Sequence, residues 1–121
     1  MKPINIAQKF GCFTEQWHPH QIAMVNDMQV LLARVAGEFI WHSHEDEDEL
    51  FQVIRGTLYM QFKDRTEVIK EGELIVVPRG VPHCPSTRGG EEVWLLLFEK
   101  SSILHTGKTV DERTRHYYPK I

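Results

Sequence analysis

Three histidines and one glutamate carry the chemistry that can be read in this chain. His42 and His44 stand one residue apart, and Glu49 follows beyond the acidic run Glu45, Asp46, Glu47 and Asp48. Side chains of an extended strand alternate between its faces, so the two imidazoles project the same way. Imidazoles so placed can share one ion through bonds of about 2.0–2.1 Å. Glu49 opens the apolar run 50–54, and a hairpin at the acidic turn returns its carboxylate to them. His83, after the corner Pro78-Arg79-Gly80, is the fourth candidate. Three imidazoles and a carboxylate suit one divalent transition metal: Fe, Mn, Ni or Zn, selected by geometry rather than raw affinity. Four protein ligands leave open positions on an octahedral ion, as Lewis-acid or oxygen-activating chemistry requires.

These two stretches resemble the cupin superfamily. Its first motif is matched by Gly37, His42, His44, Glu49 and Gly56, with four rather than five residues between Gly37 and His42. Its second is matched by Gly72, Pro78, Gly80 and His83, with Thr87 standing where the family has Asn. That Asn is not a ligand in the family, so the replacement touches a turn and not the metal set. The resemblance spans about residues 21–100, leaving an N-terminal arm 1–20 and a C-terminal tail 101–121 around the core of a single domain, 1–121. The Thr-Gly-x4-Glu-Arg-Thr sequence at 106–114 is also similar to small single-domain bacterial cupins, a mannose-6-phosphate isomerase-like and largely unassigned group. The resemblance implies a jelly-roll barrel, or double-stranded β-helix. It implies a mononuclear metal on His42, His44, Glu49 and His83. A reaction is implied only in outline: a small-molecule dioxygenase, isomerase or lyase, or else a non-catalytic module that binds or senses a small molecule or metal.

The elements that must position these residues read as strands. Turn signals recur at short intervals and no segment has a convincing amphipathic helical period, which indicates an all-β sandwich or barrel. Residues 4–10 form a short helical turn ended by Gly11. Strands follow at 22–25 and 28–35 around Asn26-Asp27, then at 39–44, 50–55, 57–63, 66–70, 72–77 and 93–99. If Glu49 faces inward, Phe51 and Val53 do too, and Leu50, Gln52 and Ile54 face away. Leu58, Met60 and Phe62 form the apolar face of the next strand, and Phe51, Met60 and Phe62 are candidates to line a pocket beside the metal.

Composition narrows the partners. A chain of 121 residues supports one core, and a net charge of −3 favours neither nucleic acid nor an anionic membrane. No segment has the apolar length of a signal peptide or a membrane span. Cys12 and Cys84 are far apart and form no CxxC, so reduced thiols in the cytoplasm are the expectation. Cys84, next to His83, faces away as a small buried hydrophobe. The 45–48 run reads as a solvated turn, with support for His44 or repulsion of anions as its alternative. His18 and His20 flank Pro19 and read as a surface loop. Trp41 and Trp94 read as core or interface, and Arg88 and Tyr59 as candidates to orient an acidic substrate. The apolar strands 22–25 and 28–35 exceed what one sheet edge buries, which points to a homodimer.

Overall fold

Eight strands and one short helix form the regular structure of residues 1–101 and 118–121, which the computed structural model describes. Helix α1 (Ile6–Phe10) starts where the Asn5 carboxamide oxygen accepts from Gln8 N at 2.9 Å, and it ends at Gly11. Its anchor is Phe10, fully buried and stacked on Trp94 with ring centroids 4.5 Å apart. With Phe13 and Leu32 it forms a satellite cluster that fixes the N-terminal arm to the outside of the larger sheet.

That sheet has the order β1-β2-β8-β3-β6, from β1 (His20–Val25), β2 (Met28–Val35), β8 (Val93–Lys100), β3 (Glu49–Arg55) and β6 (Leu74–Val77). A smaller sheet has the order β5-β4-β7, from β5 (Thr66–Ile69), β4 (Leu58–Phe62) and β7 (His83–Ser86). All ladders within both sheets are antiparallel. The two-residue turn at Asn26-Asp27 closes the first hairpin; Asn26 takes φ 55°, which asparagine tolerates. Period-two alternation then builds the core between the sheets. Leu31, Ala33 and Val35 of β2 meet Val93, Leu95 and Leu97 of β8, Phe51 and Val53 of β3, and Leu58 and Met60 of β4.

Two expectations about strands are corrected. Residues 39–44 form no ladder; from Glu38 onward the segment meets the smaller sheet at two isolated bridges, Glu38–Ser86 and His42–His83. Proline explains this. Pro85 O accepts from Phe39 N at 2.9 Å, but Pro85 has no N–H to return. Conversely, His83–Ser86 is a strand, although it holds Pro85 and follows Pro82. β7 lies at the edge of its sheet, where a proline is tolerated. The sequence at 106–114 lies outside the described residues. The described end returns beside β1, where Gln21 N donates to Pro119 O and Ile121 N donates to Gln21 O. No helix among the described residues is long and apolar enough to cross a membrane.

Candidate metal centre

His42 and His83 are fixed to each other before their side chains are considered. His42 N donates to His83 O at 3.1 Å and His83 N donates to His42 O at 2.9 Å, so the rings face at a centroid distance of 4.3 Å. His44 is fixed through its carbonyl, which accepts from Gly80 N at 2.7 Å. That bond ties the first stretch to the Pro78-Arg79-Gly80 corner. Asp48 Oδ1 adds a second tie by accepting from Arg79 N at 2.9 Å. Gly80 takes φ +77°, which only glycine adopts without strain. Glu49 enters as the first residue of β3, on the same inward phase as Phe51 and Val53.

The four side chains converge. One ligand atom from each of His42, His44, Glu49 and His83 lies within 4.8 Å of every other, and all four residues are buried. Glu49 Oε1 is 3.2 Å from His44 Nε2 and 3.8 Å from His83 Nε2. His42 Nδ1 donates to Ile40 O and His83 Nδ1 donates to Val81 O, both at 2.9 Å. A ring that gives its Nδ1 hydrogen to a carbonyl presents the Nε2 lone pair at its other end. The Nε2 atoms of His42, His44 and His83, with Glu49 Oε1, are buried without a hydrogen-bond partner. Orphaned acceptors of this kind carry a desolvation cost that a cation offsets. The donor set therefore fits one divalent transition metal.

The electrostatics agree. Burial, reinforced by the neighbouring His83, holds His42 down at about 4, so its ring is neutral and able to ligate. Burial alone would push Glu49 upward, but the imidazoles of His44 and His83, 3.2 and 3.8 Å from its Oε1, hold it below the usual carboxylate range. A second buried carboxyl group, Glu99, stands against it. Burial first, then the Glu49 carboxylate, push Glu99 well above that range.

One side of the centre opens on a narrow apolar cavity. Its wall includes His42 and Glu49 of the centre, then Trp17, Phe39, Phe51 and Pro85. Trp17 takes φ 57°, unusual for so bulky a residue, and donates its indole N–H to Ala36 O at 3.0 Å. It stacks on Phe39 at 4.6 Å.

Of the pocket candidates, Phe51 lines this cavity. Met60 does not; it is fully buried among core residues. Phe62 is half-buried beneath Arg65 and lines a separate surface depression. Both sit on β4 in the smaller sheet, one layer away from β3, and alternation alone could not show that. His20 is corrected from surface loop to buried residue: it begins β1 and stacks on Phe13 at 4.1 Å, its Nδ1 donating to His18 O. His18 instead meets Glu15 at 2.9 Å. Trp41 is exposed, with Lys63 over its ring, because the segment carrying it is not a ladder strand. Arg88 lies over the Tyr59 ring at 3.9 Å, and both line another surface hollow, not the cavity at the centre. Cys84 is buried, as expected of a small hydrophobe. In the acidic run, Glu45 and Asp46 are exposed while Asp48 binds Arg79. Trp17, Phe39 and Glu99 were not singled out from the sequence. For Glu99 a signal existed: it continues the inward phase of Val93, Leu95 and Leu97.

Two packed antiparallel sheets with three buried imidazoles and a carboxylate gathered together define a jelly-roll domain with a candidate metal centre. The family model Cupin_2, described as a cupin domain, matches residues 28–99, and the chain belongs to the cupin family. Among solved structures it is similar to a cupin-2 domain containing protein from Shewanella frigidimarina, at 42% identity and TM-score 0.78, covering 80% of this chain and 93% of that one. It is also similar to protein NMB1881 from Neisseria meningitidis, at 31% identity and TM-score 0.74, covering 83% of this chain and 100% of that one. The uncharacterized protein YdbB of Bacillus subtilis is 46% identical over 63 residues, 51% of this chain and 56% of that relative.

Proposed function

We propose that this cupin holds one divalent transition metal on His42, His44, Glu49 and His83 and acts as an enzyme on a small, largely apolar molecule, as a dioxygenase. When bound, the ion supplies Lewis-acid and oxygen-activating chemistry. The chain's own residues supply orientation and dryness. Trp17, Phe39 and Phe51 present aromatic surface beside His42 and Glu49, which suits an uncharged substrate and excludes water.

The observation that carries the choice of reaction is the makeup of the wall. Among the described residues, its only titratable groups are His42 and Glu49, both in the ligand set. An isomerase or lyase needs a separate group to move a proton at the substrate. A dioxygenase can draw its reactivity from the ion and O₂, so this wall favours it. No lysine or arginine lines the cavity among the described residues, which weighs against a sugar phosphate.

The test begins with metal analysis of the freshly purified protein. His44→Ala and His83→Ala should lose the ion, and near-stoichiometric metal in both variants would refute the site. Metal-loaded wild type is then screened against small apolar phenols, diketones and carboxylic acids, in air and under argon. Turnover in air that stops under argon is expected. Equal turnover under argon would return the reaction to the isomerase or lyase class. Tight binding of a screened compound without turnover would make the protein a binding module.

A further inference from the structure

The inner face of the larger sheet is apolar row by row until the row at the metal end. Leu31, Leu97 and Phe51 make one row across β2, β8 and β3, and Ala33, Leu95 and Val53 make the next. One step toward the centre, Gln29 pairs with Glu99 across β2 and β8, and Glu49 is the neighbouring position on β3. Gln29, Glu99 and Glu49 are respectively 2%, 0% and 2% exposed. A fully buried carboxyl group beside another is costly unless it is bonded to something.

The leftover atoms in this row are complementary. Gln21 Nε2 donates to Gln29 Oε1 at 3.2 Å, which turns the Gln29 amide so that its nitrogen is free. That Nε2 has no acceptor, and both Glu99 oxygens have no donor, although the two residues are register partners. On its other side, Glu99 lies beside Glu49, one position beyond the Leu50–Phe98 register pair of β3 and β8. The row thus runs from the half-buried Gln21 inward to a candidate metal ligand.

We propose that Gln29 and Glu99 brace Glu49 from behind, making Glu99 a positioning residue that sets how the Glu49 carboxylate meets the ion. The inference rests on the metal site proposed above. Glu99 lies outside the four-residue ligand group, so it acts through Glu49 and not on the metal. Groups that orient a ligand from outside the shell typically change metal affinity by about 10–100-fold. Neither Glu99 oxygen has a hydrogen-bond partner whose loss would be left orphaned, so an apolar side chain there should leave stability level or raise it. A brace for the ligand and a support for the fold therefore predict different results.

The experiment uses the full chain stripped with chelator, then titrated with Mn(II) at one fixed pH. Free Mn(II) is read by electron paramagnetic resonance, and thermal melts are taken without metal. Glu99→Leu should weaken Mn(II) binding about 10–100-fold while its metal-free Tm stays level or rises. Glu99→Gln keeps shape and polarity, and should bind within a few-fold of wild type with the same bound-Mn(II) spectrum. Gln29→Leu should weaken binding in the same direction as Glu99→Leu. Wild-type affinity in Glu99→Leu overturns the inference. So does a parallel fall in Tm and affinity in that variant, which would mark Glu99 as a support of the fold alone. Loss of affinity in Glu99→Gln equal to that in Glu99→Leu also overturns it. His44→Ala separates the two levels: if it and wild type both fail to bind Mn(II), the metal site itself falls and the brace with it.

Discussion

His42 is held near 4 by burial and by His83, while an unfolded chain restores it to about 6.5. Between these values the unfolded state binds more protons, so stability rises with pH across that window and is flat on either side for this residue. The metal-free protein should lose roughly 3 kcal/mol from His42 as pH falls from 6.5 to about 4. Urea denaturation at half-unit steps of pH checks this; no slope in that window would show that His42 is not buried neutral. With metal bound, protons compete for all three imidazoles, and the stabilisation given by the ion is lost as it leaves. The metal-loaded protein should therefore fall more steeply on acidification. Identical pH profiles with and without metal would sink the linkage.

At the scale of elements, the corner at Gly80 links the two halves of the site. It holds His44 through Gly80 N and lies three residues before His83, in the left-handed region at φ +77°. An added Cβ there meets nothing within 4 Å, so Gly80→Ala should cost only the backbone strain, about 1–2 kcal/mol. Gly89 is a control, with φ +63° and equally open space but no bond to a ligand residue. Both alanine variants should lose similar stability in urea. Only Gly80→Ala should also weaken Mn(II) binding, and equal affinity in the two variants would show that the corner does not position His44.

Spacing made this site legible where it reflects local geometry. His42, His44, Glu49 and His83 could be named because period-two alternation and turn glycines are written in sequence. The Trp17–Phe39 stack could not be, since it joins residues of two irregular segments through tertiary packing. β7 is not written in the local pattern, because a strand holding Pro85 is tolerated only through its place at a sheet edge. Met60 and Phe62 have the right period for an inward face, but alternation does not say which layer of a sandwich that face serves. His20 was misjudged because Pro19 beside it suggested a loop, while stacking on Phe13 draws it inward.

For the whole molecule, the outer face of the larger sheet decides the last prediction. Helix α1 and its neighbours cover one end of that face, where Phe10, Phe13, Ile22, Ile54, Trp94 and Leu96 pack together. The other end has no such cover among the described residues. Val30, Phe98, Leu50 and Val76 are successive register partners across β2, β8, β3 and β6, forming an apolar row on the outward phase. Val76 is 48% exposed and Leu74, on the same edge strand, 54%. Contiguous apolar surface beside an exposed edge is commonly covered by another chain, and closed twofold pairing is the commonest way. A homodimer through this face is expected, with light scattering at micromolar concentration giving twice 14.2 kDa. Val76→Lys puts a charge on the row without touching the core and should shift the mass to one chain while leaving metal content unchanged. A monomeric wild type, or a Val76→Lys variant that stays dimeric, would remove this face as the interface.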